Sequence, residues 1–100
     1  MRRGTTPTNV FDVNIDLTGA SAVYVTYEQG GEVVLEKTGT DLAVEPDSIT
    51  VALTQEDTLK LKPGKVFIQI RYILPDGTAD ASDVIAATVD RVIKDGVIGE

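Results

Sequence analysis

Apolar and polar residues alternate along much of the chain, and this period of two is typical of half-buried β-strands. The longest such run is Lys65–Leu74, whose two faces differ in character. At roughly 3.3 Å per residue, a run of this length spans about 30 Å, the size of a small domain. One face carries Val66, Ile68, Ile70, Tyr72 and Leu74, and the other is mixed. We therefore predict that Lys65–Leu74 is the central strand and that Ile68 and Ile70 are buried.

Several shorter segments have the alternation or the β-branched composition of strands. They are Asn9–Leu17, Ala22–Glu28, Val33–Thr38, Ser48–Thr54, Thr78–Ala81 and Asp83–Val89, with Leu42–Glu45 as a candidate edge strand. Gly30-Gly31 and Pro75-Asp76-Gly77 carry the signals of tight hairpin turns, because glycine readily adopts the positive φ angles that such turns need. Six to eight short strands with frequent turns indicate an antiparallel sandwich.

One short helical turn interrupts the strands, at Gln55–Leu61. Thr54 is a suitable N-cap, and Asp57 stands at the reciprocal position of a capping box. The predicted fold class is all-β, an Ig-like antiparallel β-sandwich with this helical turn where the chain crosses between sheets. We predict that residues 9–100 form a single sandwich domain and that residues 1–8, which lack an apolar pattern, form an N-terminal arm. Asp90–Asp95 fits a helical turn or the tail of the last strand equally well.

Composition argues against several classes of function. The chain of 100 residues has 16 acidic and 9 basic residues and a net charge of −7, which disfavours binding to nucleic acid. Histidine and cysteine are absent, so imidazole catalysis and thiolate zinc sites are excluded. Asp76, Asp80 and Asp83 lack the spacing of an EF-hand calcium loop. We expect no enzymatic activity, cofactor, metal, membrane association or small-molecule substrate.

The basic cluster Arg2-Arg3 is the most distinctive feature of the arm. Charge-assisted pairs with acidic groups are stronger than neutral hydrogen bonds, so two arginines suit contact with an acidic neighbouring subunit. A solvated chain end is the alternative. The predicted partner-binding residues are Arg2, Arg3, Thr5, Thr6, Val92 and Ile93.

The opening MRRGTTPT, the central LTQEDTLKLKPGKVFIQIRY and the closing DGTADASDVI…TV resemble small structural proteins of phages and prophages of Gram-positive bacteria. The stretch Lys62–Val89 also resembles the N-terminal domain of phage upper baseplate proteins. The resemblance implies a non-enzymatic virion protein of the baseplate or tail tip, assembled in the host cytoplasm. Its partners would be other phage structural proteins and copies of itself. A capsid decoration protein of the same fold and a small acidic inhibitor of a host protein remain alternatives.

Overall fold

The computed structural model describes residues 1–99 and contains eight strands and two short helical segments. The helix α1 is Gln55–Leu59, and a 3₁₀ turn covers Gly39–Asp41. The strands are β1 (Thr8–Asp12), β2 (Ala22–Gln29), β3 (Glu32–Thr38), β4 (Leu42–Val44), β5 (Ser48–Ala52), β6 (Gly64–Ile73), β7 (Ala79–Ala81) and β8 (Ile85–Val89). No helix within residues 1–99 has the length and apolar character needed to cross a membrane.

The strands form two antiparallel sheets. The three-stranded sheet has the order β1-β5-β4. The five-stranded sheet has the order β3-β2-β6, and the far side of β6 is shared between β7 and β8. Strand β6 pairs with three other strands, so the prediction that Lys65–Leu74 is the central strand is confirmed, with both bounds shifted by one residue. The predicted hairpin at Gly30-Gly31 is also confirmed, because both glycines have positive φ, at 59° and 80°.

The core lies between the two sheets and is built from the side chains that each strand directs inward. Ile68 and Ile70 are buried as predicted. Further core residues are Phe11, Ile49 and Val51 from the three-stranded sheet, and Val23, Val25, Tyr27, Leu35, Val66 and Val89 from the five-stranded sheet. The predicted fold class, an Ig-like antiparallel β-sandwich with one short helical turn between strands, is confirmed.

Helix α1 lies where the chain passes from β5 in one sheet to β6 in the other. Thr54 is its N-cap, and the side chains of Thr54 and Asp57 form the reciprocal hydrogen bonds of a capping box. The Nζ of Lys37 on β3 lies 2.8 Å from the Asp57 carboxylate. The predicted cap is therefore confirmed, and the same carboxylate also ties α1 to the five-stranded sheet.

Strands β7 and β8 form one edge that is interrupted by a bulge. Arg71 pairs with Ala81 and Ile68 pairs with Ile85, so two residues of β6 face three residues of the edge. This extra residue defines a β-bulge. The Ser82 amide donates to the Ile70 carbonyl, and the Ile70 amide donates to the Ser82 hydroxyl. Both backbone groups of Ile70 are therefore hydrogen-bonded at the bulge between β7 and β8.

Several sequence-based boundaries were wrong. Helix α1 ends at Leu59 and not at Leu61, and β8 begins at Ile85 and not at Asp83. The strand predicted over Asn9–Leu17 ends at Asp12, because the Val13 amide bonds to the Asp47 carbonyl and the chain then turns. Further along that turn, the Asp16 carboxylate accepts from the Thr18 amide and hydroxyl. Asp90–Asp95 is neither a helical turn nor a continued strand, although Asp90 forms an isolated bridge with Arg2.

Candidate contact surface

The outer side of the five-stranded sheet is the candidate functional surface, and we call it the contact face. The alternation that buries Val25 and Ile70 directs the intervening residues of β2 and β6 outward. Its members are Tyr24, Thr26 and Glu28 from β2, Val33 and Glu36 from β3, Phe67, Gln69, Arg71 and Ile73 from β6, and Val84 from the bulge.

A depression of about 600 Å³ that opens to solvent occupies the middle of the contact face. Its lining includes Glu28, Phe67, Arg71 and Val84. A second depression of about 260 Å³ adjoins it and extends the surface towards Ile73. The two depressions share lining residues, so they form one continuous surface that runs along β2 and β6.

Large apolar side chains are exposed on this face. Val33 is 61% exposed, Val84 is 59% exposed, and Tyr24, Phe67 and Ile73 are each more than a third exposed. Single exposed apolar residues are normal on protein surfaces, but a contiguous group of this kind marks an interaction site. The contact face therefore has the composition of a surface that another molecule covers.

Strand β3 contributes to the contact face through a register shift. Tyr27 pairs with Leu35, whereas Glu28 pairs with Val33, so Val34 is an extra residue on β3. A bulge of this type reverses which side of the sheet the following residues face. The shift brings Val33 beside Glu28 on the outer side, while Leu35 remains in the core.

Charged groups on the contact face have no charged partner within the described chain. The ion pairs formed by residues 1–99 are Arg3–Asp95 and Lys37–Asp57. Arg71, Glu28 and Glu36 take part in neither pair, although all three line the depression. The guanidinium of Arg71 is thus available to a carboxylate of a second molecule.

The predicted arm lies against the body of the protein. The Arg3 guanidinium donates to the carbonyls of Leu59 and Leu61, at 2.9 and 2.7 Å, and pairs with Asp95 at 2.7 Å. The Arg2 guanidinium donates to the Arg91 carbonyl at 2.6 Å. The arm is therefore held by its own chain, because arginine donors satisfy backbone carbonyls at the ends of α1 and β8.

The remaining predicted partner-binding residues are divided between packed and exposed positions. The carbonyl of Thr5 accepts a hydrogen bond from the Thr58 hydroxyl, at 2.8 Å. Thr6 is exposed, Val92 is half-buried, and Ile93 is 90% exposed. Arg2 and Arg3 contact the segment after β8, Thr5 contacts α1, and none of the six lines the contact face. Their role in binding a partner stays a prediction.

Burial and local hydrogen bonds explain the shifted pKa values of Asp57, Tyr27 and Asp76. Burial raises the pKa of the Asp57 carboxyl, but hydrogen bonds from Lys37 and Thr54 outweigh burial and leave that pKa lowered. Burial raises the pKa of Tyr27, whose hydroxyl accepts a 2.7 Å hydrogen bond from Asn9 on the opposite sheet. A hydrogen bond from the Thr78 amide lowers the pKa of Asp76, consistent with a turn role.

Metal-ligating side chains do not cluster within residues 1–99, where no group of three or more Asp, Glu, His or Cys side chains could hold an ion. Asp80 accepts a hydrogen bond from the Ala81 amide. The carboxylates of Asp76 and Asp80 therefore both accept hydrogen bonds from nearby backbone amides.

Comparison with known proteins gives a structural similarity only. No family model matches the chain, and no curated protein matches it. Among solved structures, the V domain of amphioxus IgVJ-C2 is similar, with 13% sequence identity and a TM-score of 0.35. The match covers 89% of this chain and 96% of that chain. At this identity and score, the likeness carries no argument about function.

Proposed function

We propose that this chain is a non-enzymatic structural protein that works through protein–protein contacts, in the virion of a phage, at the baseplate or tail tip. The observation that carries the contact role is the contact face, a broad outer sheet surface with exposed apolar side chains and unpaired charges. The resemblance of Lys62–Val89 to the upper baseplate domain supports the virion placement.

The shape of the surface favours a macromolecular partner. Small-molecule sites are concave and bury most of the ligand surface. The depression on the contact face opens to solvent, and apolar residues continue beyond it to Ile73. Protein interfaces combine an apolar centre with charges that fix orientation, and Arg71 and Glu28 supply such charges here.

Mass spectrometry of purified particles tests the virion placement. Particles of the phage or induced prophage that encodes this chain are separated into heads and tails before quantification. We expect recovery in tails. Recovery in heads would favour a capsid decoration protein, and absence from both would overturn the virion role and favour an inhibitor of a host protein.

A matched pair of variants tests the use of the contact face in those particles. Val84 on the contact face and Val10 on the outer side of β1 are 59% and 60% exposed. Placing a charge against apolar side chains of a partner costs several kcal/mol, whereas an exposed site tolerates it. We expect Val84→Glu to lose incorporation and Val10→Glu to keep it. Equal incorporation of both variants would exclude the contact face.

A further inference from the structure

We infer that a second copy of this chain occupies the contact face, with Arg71 of each copy paired to Glu28 of the other across a two-fold axis. This inference deepens the proposed function, because it rests on the contact face and names the partner. It follows from the register of β2 and β6, the positions of two charged groups, and the distribution of apolar side chains around them.

The register places Arg71 and Glu28 symmetrically about the centre of the face. Thr26 and Gln69 face each other across β2 and β6 and define that centre. Arg71 lies two residues from Gln69 in one direction along the sheet, opposite Tyr24. Glu28 lies two residues from Thr26 in the other direction. Each charge is therefore about 7 Å along the sheet from the centre.

A two-fold axis in the plane of the interface exchanges these two positions. The axis passes over the Thr26–Gln69 pair and lies about 20° away from the direction perpendicular to the strands. This angle follows from the spacing between strands and the rise per residue. Each Arg71 then faces a Glu28, and symmetry repeats the contact. Two oppositely charged groups at equal distances from the centre make these two contacts complementary.

The same axis superimposes the apolar groups. Val84 of one copy falls beside Phe67 of the other, and Val33 falls beside Tyr24 and Ile73. All five side chains are exposed in the single chain. The two-fold arrangement therefore covers the exposed apolar surface with apolar surface, in addition to pairing the charges.

Arg71 and Glu28 are too far apart to pair within one chain. They are separated by about four residues along neighbouring strands, or about 13 Å. Covering an apolar face that contains an unpaired arginine is unfavourable unless the partner provides a carboxylate in the right place. A second copy provides that carboxylate twice, with bidentate pairing as the favourable geometry.

The available area limits the strength of the dimer. The strands of the sheet cover about 19 Å by 30 Å, so a face-to-face dimer buries about 1,100 Å² in total. This is close to the lower limit of roughly 1,000 Å² for specific interfaces. The net charge of −7 on each copy opposes association, although salt at about 0.15 M screens charges more than about 8 Å apart. We expect a dissociation constant in the micromolar range.

Sedimentation analysis of charge-reversed chains tests the inference. The parent chain, Arg71→Glu, Glu28→Arg and an equimolar mixture of the two variants are compared from about 1 to about 500 μM at physiological salt. Each variant alone places like charges opposite each other at both contacts, so we expect dimerisation to weaken at least tenfold. In the mixture, one copy carries two carboxylates and the other two guanidinium groups at these positions. Opposite charges then meet at both contacts, so we expect a heterodimer of parental strength.

Controls separate the contact from net charge and from folding. Asp12→Arg makes the same charge change as Glu28→Arg, but on the outer side of the three-stranded sheet, and we expect it to leave dimerisation unchanged. Circular dichroism and melting confirm that the variants fold. If a charge-reversed chain does not fold, Val84→Glu in the parent serves instead and is expected to give monomers.

The outcomes distinguish the dimer from the proposed function. A parent chain that is monomeric throughout, variants that dimerise as the parent does, or a mixture that stays monomeric would each overturn the Arg71–Glu28 dimer. A monomeric parent that is recovered in tails leaves the proposed function standing. A dimer with the expected charge dependence that is absent from particles supports this inference and overturns the virion role.

Discussion

Both faces of β6 carry large apolar side chains, but these side chains have different surroundings. Val66, Ile68 and Ile70 point inward and are buried between the sheets. Phe67 and Ile73 point outward and remain exposed on the contact face. The inner residues are covered by the chain itself, whereas the outer residues are covered only if another molecule binds. The more strongly apolar face was correctly predicted to be the core face, but the alternation does not show that the mixed face also keeps large apolar side chains uncovered.

Charged residues show the same contrast on β3. Lys37 points inward and pairs with Asp57 at 2.8 Å, with both side chains largely buried. Its neighbour Glu36 points outward and lies on the contact face, outside both ion pairs of residues 1–99. The inner charge is used to join β3 to α1, and the outer charge is available to a partner.

Truncation of the inner face has the largest expected effect. We expect Ile70→Ala to lower the free energy of unfolding by roughly 2–5 kcal/mol, because it leaves a cavity among buried side chains. Phe67→Ala on the outer face is the control, and we expect a loss below about 1 kcal/mol. Chemical denaturation measures both. Similar losses for the two variants would remove the distinction between the faces of β6.

Loss of the inner charge pair has the next largest effect. Asp57→Asn leaves Lys37 without its partner, and we expect a cost of roughly 1–3 kcal/mol, against less than about 0.5 kcal/mol for Glu36→Gln. The folded-state pKa of Asp57 is lowered, so its contribution is present at neutral pH and is lost as the pH falls below about 4. Denaturation between neutral and acid pH should show this loss in the parent and not in Asp57→Asn. A cost for Glu36→Gln as large as for Asp57→Asn would contradict the contrast on β3.

Arg3 and Arg71 differ in the same way, since one is bonded within the chain and the other is not, but we expect a smaller effect on stability. Arg3 donates to two backbone carbonyls and pairs with Asp95, so we expect Arg3→Ala to lower stability by about 1–2 kcal/mol. Arg71 has no ion pair within residues 1–99, and we expect Arg71→Ala to change stability by less than about 0.5 kcal/mol. Thermal melting measures both variants. Unchanged stability in Arg3→Ala would contradict the contrast between the two arginines.

The fold was largely predictable because its signals are local. The alternation in Lys65–Leu74, the glycine pair at Gly30-Gly31 and the capping box at Thr54 each act within a few residues. The bulge at Ser82 was not predicted, because it depends on how two separate segments share one side of β6.

The candidate site was less predictable because its contacts are distant in sequence. The arm was expected to extend towards a partner, but Arg3 bonds to carbonyls more than fifty positions away. The contact face left a partial signal, since Phe67 and Ile73 make the outer side of the central strand unusually apolar. The contribution of Val33 depends on the register shift between β2 and β3, which the sequence pattern does not show.

Concentration-dependent NMR shifts of backbone amides test most directly which outer face makes contact. Spectra of the parent chain are recorded from about 10 to about 500 μM, a range that brackets a micromolar dissociation constant. We expect shifts that grow with concentration at Thr26, Gln69 and Arg71, while Val10 and Thr50 on the three-stranded sheet stay constant. Changes confined to the three-stranded sheet, or no changes at any residue, would contradict self-association through the contact face.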